Sequence, residues 1–166
     1  KKHSAFLFVN DAIISHVKNK VLTYQAFVEG GLERNVPGSR SYSAVYTPSL
    51  VSAIKASVAT DYVVIKPENS SLAYGINVIH KDDLDDLLRI ILKDKRSIST
   101  KAHRSLSYWR QMHDATFFAQ EYIPNALRIR ALVIGDRVVG AIKRHTKWNK
   151  VELKQTLSPI PVAVEK

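Results

Sequence analysis

Three stretches of this 166-residue chain combine residue types that can handle phosphate or carboxylate. The first is Val64-Ile65-Lys66-Pro67, followed by Glu68-Asn69-Ser70-Ser71-Leu72-Ala73-Tyr74-Gly75-Ile76. A lysine closes a β-branched run, and a loop of small residues leads straight into a second run. Such a loop can fold its backbone N–H groups over phosphate oxygens, while the lysine meets the same charge as a point cation. The second stretch is Ala119-Gln120-Glu121-Tyr122-Ile123-Pro124, a strand pattern that ends at a proline. The third runs from Arg128 through Gly135-Asp136 to Arg144. By strand alternation Arg128 and Arg130 share one face, where two guanidinium groups can clamp a triphosphate or a carboxylate.

Elements on either side must position these groups. Ala5 to Val9 has the pattern of a short strand, with Asn10-Asp11 as a break. Lys18 to Val28 predicts a helix with Val21, Tyr24, Gln25 and Val28 on one side, ended by Gly30-Gly31. Asn35 to Ser39 is a loop around Pro37-Gly38, and Ser41 to Tyr46 alternates as an edge strand does. Thr47-Pro48 marks a helix start: threonine caps free amides, and proline fits the first helical position. Leu50, Val51, Ile54 and Val58 supply that helix's apolar side. Tyr62 to Lys66 is a strand stopped by Pro67, and Gly75 to Ile79 is the next. Asp82 is the expected cap of a helix whose Leu84, Leu87, Leu88 and Ile91 fall at i, i+3, i+4, i+7. The aspartates at 82, 83, 85 and 86 crowd its first turns, where carboxylates meet the positive end of the dipole. Residues 95–115 are basic and polar and predict an arm with one short helix, Tyr108-Trp109 embedded in it. Phe117 to Tyr122 is a strand. Arg128–Ile134 and Arg137–Lys143 form a hairpin around Gly135-Asp136. Pro159 and Pro161 argue against a helix at the end. The order is mixed α+β with antiparallel hairpins, without the regular alternation of a doubly wound sheet.

In their order and spacing these pieces resemble the ATP-grasp superfamily, most closely the ribosomal-protein glutamate ligases and related carboxylate–amine ligases. The resemblance runs from about Lys20 to Arg144 and is carried by "KP…SS…G", "QEYI" and "VIGDRVVGAIKR" taken jointly. It implies an α+β ATP-grasp nucleotide-binding core of two small lobes with antiparallel sheets, incomplete at the termini. Residues 1–46 would lead into the core, 47–115 would form the small lobe with phosphate loop and basic arm, and 116–166 would begin the large lobe. Lys66 would contact the ATP phosphates, with Ser70 and Ser71 in the phosphate loop. Gln120, Glu121, Tyr122 and Ile123 would line the adenine slot. Lys20 matches a lysine that reaches the nucleotide. Arg130 and Arg144 match arginines that face phosphate or substrate, which makes them the catalytic candidates. The implied reaction is ATP-dependent amide formation through an acyl-phosphate, with magnesium.

The chain also departs from that pattern. Ser70 and Ala73 stand where relatives often have glycine, which restricts the backbone, and Arg128 stands where many have the aspartate of the ribose contact. After Arg144 the only acidic residues are Glu152 and Glu165, neither in the family's Glu-x-Asn magnesium motif. No metal ligand is therefore assigned. The missing motif and the absence of an initiator methionine give the expectation of a piece cut from a longer protein.

Composition bounds the alternatives. With no cysteine, disulfides and thiolate-bound metals are excluded. An apolar fraction of 45% is enough for a core. No apolar run approaches the roughly 18 residues of a membrane span, and the basic start with its short apolar stretch is not a secretory signal. A cytoplasmic protein with no membrane partner is the expectation, homo-oligomerisation remaining open. The net charge of +10 is uneven. Residues 95–166 carry fourteen basic and five acidic side chains, whereas residues 61–94 carry four and seven. Such a bias favours an anionic partner: ATP, an acidic carboxylate substrate or acidic carrier protein, or nucleic acid.

Two other functions compete with the ligase. One is a degenerate ATP-grasp domain that binds nucleotide or a partner without catalysis. The other is a basic nucleic-acid-binding module, in which Tyr108 and Trp109 stack on bases. Each candidate also has a plain reading. Lys66 can be a solvated charge, Glu121 a surface carboxylate on an edge strand, Arg128 and Arg130 exposed hairpin positions, and Tyr108-Trp109 a pair that packs the arm onto its own domain. The six histidines show no ligand spacing.

Overall fold

A computed structural model describes residues 17–70, 73–99, 104–124, 128–144 and 157–160. The strand expected at Ala5 to Val9 and the candidate Ser71 lie outside them. The chain is mixed α+β with antiparallel sheets and divides into two compact units, Lys1–Tyr122 and Ile123–Lys166.

In the first unit the elements are α1 (Lys20–Glu29), β1 (Ser39–Ser43), α2 (Pro48–Ser57), β2 (Tyr62–Pro67), β3 (Asn77–His80), α3 (Leu84–Leu88), α4 (Arg104–Gln111) and β4 (Thr116–Glu121). The four strands form one sheet in the order β1-β4-β2-β3. Each neighbouring pair is antiparallel, with Val64 opposite Gln120 and Lys66 opposite Phe118. The serine-rich β1 is an edge strand as expected, two residues earlier than its alternation indicated. β4 is interior, so Glu121 ends a central strand and not an edge. It also lies in the first unit.

Side-chain alternation divides this sheet into two faces. One carries Val63, Ile65, Phe117 and Ala119, all buried against Val51 and Ile54 of α2, Leu84 and Leu88 of α3, and Ile91, Trp109 and Met112. Ile54, Ile65, Leu84 and Trp109 are fully buried, each aliphatic contributing roughly 1.5–3 kcal/mol by leaving water. The apolar sides predicted for α2 and for residues 84–91 therefore do form this core. The other face carries Val64, Lys66, Phe118 and Gln120. Here α1 makes contact, Tyr24 meeting Phe118 edge-on with ring centroids 5.6 Å apart. α1 has no buried residue.

Caps set the helix ends. Asn19 accepts hydrogen bonds from the Val21 and Leu22 amides at the start of α1. Thr47 Oγ1 accepts from the Leu50 amide with Pro48 next in line, as the sequence predicts. The Asp82 cap is a correction. The chain turns first through a 3₁₀ segment, Lys81–Asp83, and His80 Nδ1 accepts from the Asp82 amide at 3.3 Å. Asp82 is thus the capped residue, because the turn begins two positions early. The α-helix proper is Leu84–Leu88, continued by a π-turn over Arg89–Lys93.

The basic segment carries its one short helix, α4, and packs onto its own domain. Ile98, Trp109 and Met112 are buried, and Trp109 Nε1 donates to the Gly75 carbonyl at 2.8 Å. Three apolar anchors dispersed among arginines, lysines and serines are enough to seat the segment on the core.

The second unit is a three-stranded antiparallel sheet of β5 (Arg128–Ile134), β6 (Arg137–Arg144) and β7 (Leu157–Ile160), in that order. The hairpin turns at Gly135-Asp136 as predicted, with a register shift between Leu132 and Val133. Pro159 lies on the edge strand β7 opposite Ile142, a place where a missing N–H is tolerated.

Candidate functional site

Two clusters of predicted site residues form in the first unit. The first spans the sheet. Lys66 Nζ, on β2, donates to Gln120 Oε1 on β4. Gln120 Nε2 donates in turn to Ser39 Oγ on β1 at 2.8 Å. Lys66 and Gln120 sit on one face, one rung apart diagonally, within reach for long side chains. The lysine of the first motif and the glutamine of the second, 54 residues away, are thereby joined.

The second cluster surrounds the start of the loop after β2. Lys20 Nζ donates to the Ser70 carbonyl at 2.7 Å and to Ser70 Oγ at 2.9 Å. Burial holds the Lys20 ammonium below the usual lysine pKa, and the negative charge of Asp114 opposes that shift. The Lys20 amide donates to the Glu68 carbonyl at 3.0 Å, and Asn19 bridges to Asn69. Glu68 accepts from Asn19 Nδ2 at 2.6 Å through Oε1 and from Thr116 Oγ1 through Oε2. On the other flank the Asn69 amide donates to Asp114 Oδ2 at 3.2 Å, and Tyr108 Oη donates to the Asn69 carbonyl at 2.8 Å. Burial, with Asp114 second, raises the Tyr108 pKa.

The far end of the loop is set by backbone shape. Gly75 has φ +73°, and an added Cβ would lie 2.3 Å from Pro67 Cγ. Ala73 has φ +62°, a region that costs a residue with a Cβ roughly 1–2 kcal/mol. Alanine thus stands where the backbone favours glycine.

Glu121 has a structural role. Its carboxylate accepts from the Gly38 amide and from the Ala59 amide, each at 3.2 Å, and its own amide donates to the Gly38 carbonyl at 2.8 Å. It ties the loops before β1 and after α2 to the end of β4. Tyr122 faces Tyr62, ring centroids 5.9 Å apart. Ile123 is exposed.

The arginines fall in the second unit. Arg130 is exposed on β5, and Arg144 pairs in register with Arg128 across the hairpin. The structure thus brings together Lys66 with Gln120 and Lys20 with Ser70, and puts Arg130 and Arg144 on a separate sheet. Asn19 and Asp114 are additions, and Glu68 and Tyr108, visible in the sequence for other reasons, take contacts there that the sequence does not indicate. Only Asn19 had a legible signal, an asparagine directly before a predicted helix.

Among the described residues no group of three or more acidic or histidine side chains is arranged to hold a metal ion. Glu68 and Asp114, the carboxylates beside the loop, are engaged by Asn19, Thr116 and Asn69. These residues do not form a magnesium site. Among the described residues no helix is long and apolar enough to cross a membrane. No sequence profile of a known protein family matches the chain, and no curated protein matches it in sequence.

Proposed function

We propose that this chain is the nucleotide-binding part of an ATP-dependent carboxylate–amine ligase of the ATP-grasp type. The observation that supports it best is the Lys66–Gln120 contact, which joins two motifs picked out separately by their chemistry. In this reading Lys66 meets a phosphate as a point cation, and Gln120, itself steadied by Ser39, fixes the direction of the lysine. Lys20 brings a second ammonium to the loop at Ser70. Two cations at the ends of neighbouring motifs suit a polyphosphate. In the ligase reaction a carboxylate takes the terminal phosphoryl group and ADP leaves. An amine then displaces phosphate from the acyl-phosphate to give the amide. Arg130 and Arg144 are the candidates for steadying the charge that moves in these steps. Magnesium ligands are not assigned, and no step is routed through the ion.

A nucleotide-binding domain without catalysis is the second reading, favoured by the commitment of Glu68 and Asp114 to hydrogen bonds within the chain. The nucleic-acid reading loses its stacking pair, because Trp109 is fully buried.

Calorimetric titration with a non-hydrolysable ATP analogue and magnesium tests the proposal. Wild type should bind saturably. Lys66→Ala should bind about tenfold or more weakly, in line with the ~1.5–3 kcal/mol of a hydrogen bond to a charged group. Absence of binding by wild type would remove the nucleotide reading. Steeply salt-dependent binding to random oligonucleotides instead would restore the nucleic-acid one.

A further inference from the structure

The Glu68–Ser70 segment is fastened from both sides, and the two fastenings differ in kind. On one side Asn69 is held by Tyr108 and by the Asp114 carboxylate, residues anchored next to the buried Trp109 and Met112. On the other side the Lys20 ammonium, half withdrawn from water, is held at Ser70 by a neutral carbonyl and a neutral hydroxyl. No ion pair between Lys20 and a carboxylate forms among the described residues. The Lys20–Ser70 bonds have an ionised donor only, whereas a phosphate oxygen adds an anion's Coulomb attraction to the same ammonium, so a phosphate outcompetes Ser70 for this cation.

The geometry points to the Lys20–Ser70 contact as a latch, in which the two Ser70 oxygens occupy the ammonium in place of phosphate oxygens. A polyphosphate ligand frees Ser70 by taking the Lys20 ammonium from it. This inference deepens the nucleotide-binding reading of the same loop and rests on it for the identity of the natural ligand. Release breaks the two bonds at Ser70 and leaves Glu68 and Asn69 in place, held by Asn19, the Lys20 amide, Asp114 and Tyr108. The core is not disturbed, because neither Lys20 nor Ser70 belongs to it.

NMR shifts, followed with inorganic tripolyphosphate as the probe, test the latch. In wild type, saturating tripolyphosphate should move the carbonyl-carbon shift of Ser70, whose oxygen accepts from Lys20, while the β1 and β3 shifts stay unchanged. In Lys20→Met that shift should lie at the released position from the outset and be insensitive to the probe. Ser70→Ala, which removes one of the two latch oxygens, should release at a lower probe concentration and serves as the check if Lys20→Met does not fold. An unmoved residue-70 carbonyl shift in wild type with probe, or in Lys20→Met relative to wild type, overturns the latch. If tripolyphosphate frees Ser70 but the ATP analogue does not bind, the latch stands and the nucleotide reading falls.

Discussion

Trp109 Nε1 donates to the Gly75 carbonyl at 2.8 Å, so the indole that fills the core also pins the far end of the loop after β2. Removing the donor while keeping an aromatic ring of most of the bulk helps separate these roles. Trp109→Phe should cost about 1–3 kcal/mol by leaving a buried carbonyl unpaired, and Trp109→Ala about 3–5 kcal/mol through the cavity. Urea denaturation of the two variants measures the difference. A loss near zero in Trp109→Phe would mean that the hydrogen bond contributes little, and equal losses in the two variants that the indole's bulk does.

The loop backbone supplies an opposed pair of substitutions. Gly75→Ala meets both a φ of +73° and Pro67 Cγ at 2.3 Å, so it should destabilise by about 1–3 kcal/mol or more. At Ala73, φ +62°, glycine relieves roughly 1–2 kcal/mol of left-handed strain and loses about 0.4–1 kcal/mol through a freer unfolded chain. Ala73→Gly should therefore be neutral or slightly stabilising, with thermal unfolding as the readout. A clear loss of stability in Ala73→Gly would contradict the strain argument.

Glu121 should behave as a brace. Glu121→Ala removes the acceptor for the Gly38 and Ala59 amides and should cost about 1 kcal/mol, both groups being open to solvent. Glu121→Gln keeps one acceptor oxygen and should cost less. If Glu121→Ala leaves stability untouched and instead weakens binding of the ATP analogue directly, Glu121 belongs to the ligand site.

Acid stability contains a defined contribution from Asp85. The Tyr46 hydroxyl, and then Arg89, hold its pKa below the ordinary carboxylate value. A depressed carboxylate contributes stability that is present above its unfolded pKa of roughly 3.9 and lost as pH falls through the lower folded value. Tyr46→Phe should raise the Asp85 midpoint in an NMR titration and flatten the acid limb of stability between those pH values. An unmoved midpoint would assign the shift to Arg89 alone.

At the alkaline end Lys20 and Tyr108 act with opposite signs. Burial lowers the Lys20 pKa, so the unfolded chain holds more protons, and stability rises with pH between the folded value and roughly 10.4. Tyr108 is raised, and its contribution is lost as pH climbs from about 10 through the folded value. Wild type should therefore gain stability relative to Lys20→Met on moving from neutral pH toward 10. It should lose stability relative to Tyr108→Phe above that.

Much of this fold is written in local pattern. Thr47-Pro48, the spacing of Leu84, Leu88 and Ile91, and the alternation around Gly135-Asp136 each depend on residues within a turn or two, and each reads through to the structure. What escaped depends on distant partners. Asp82 looks like a cap until His80 is seen to start the turn earlier. The segment around Trp109 looks polar because three buried side chains are spread among many charges. The same holds for the site. Lys66 and Gln120 were legible as types, but their contact crosses a sheet register that no local pattern sets. Glu68 stood in plain view, yet its role comes from Asn19 and Thr116, each nearly fifty residues away.

The central claim is that the β2–loop–β4 region of the first unit receives a nucleotide. Backbone amide NMR shifts, followed during titration with a non-hydrolysable ATP analogue and magnesium, test it most directly. Saturable shifts are expected at Lys66, at Glu68 to Ser70, at Gly75 and at Gln120 to Tyr122. Shifts confined to the β5–β6 hairpin, or none at saturating analogue, would contradict it.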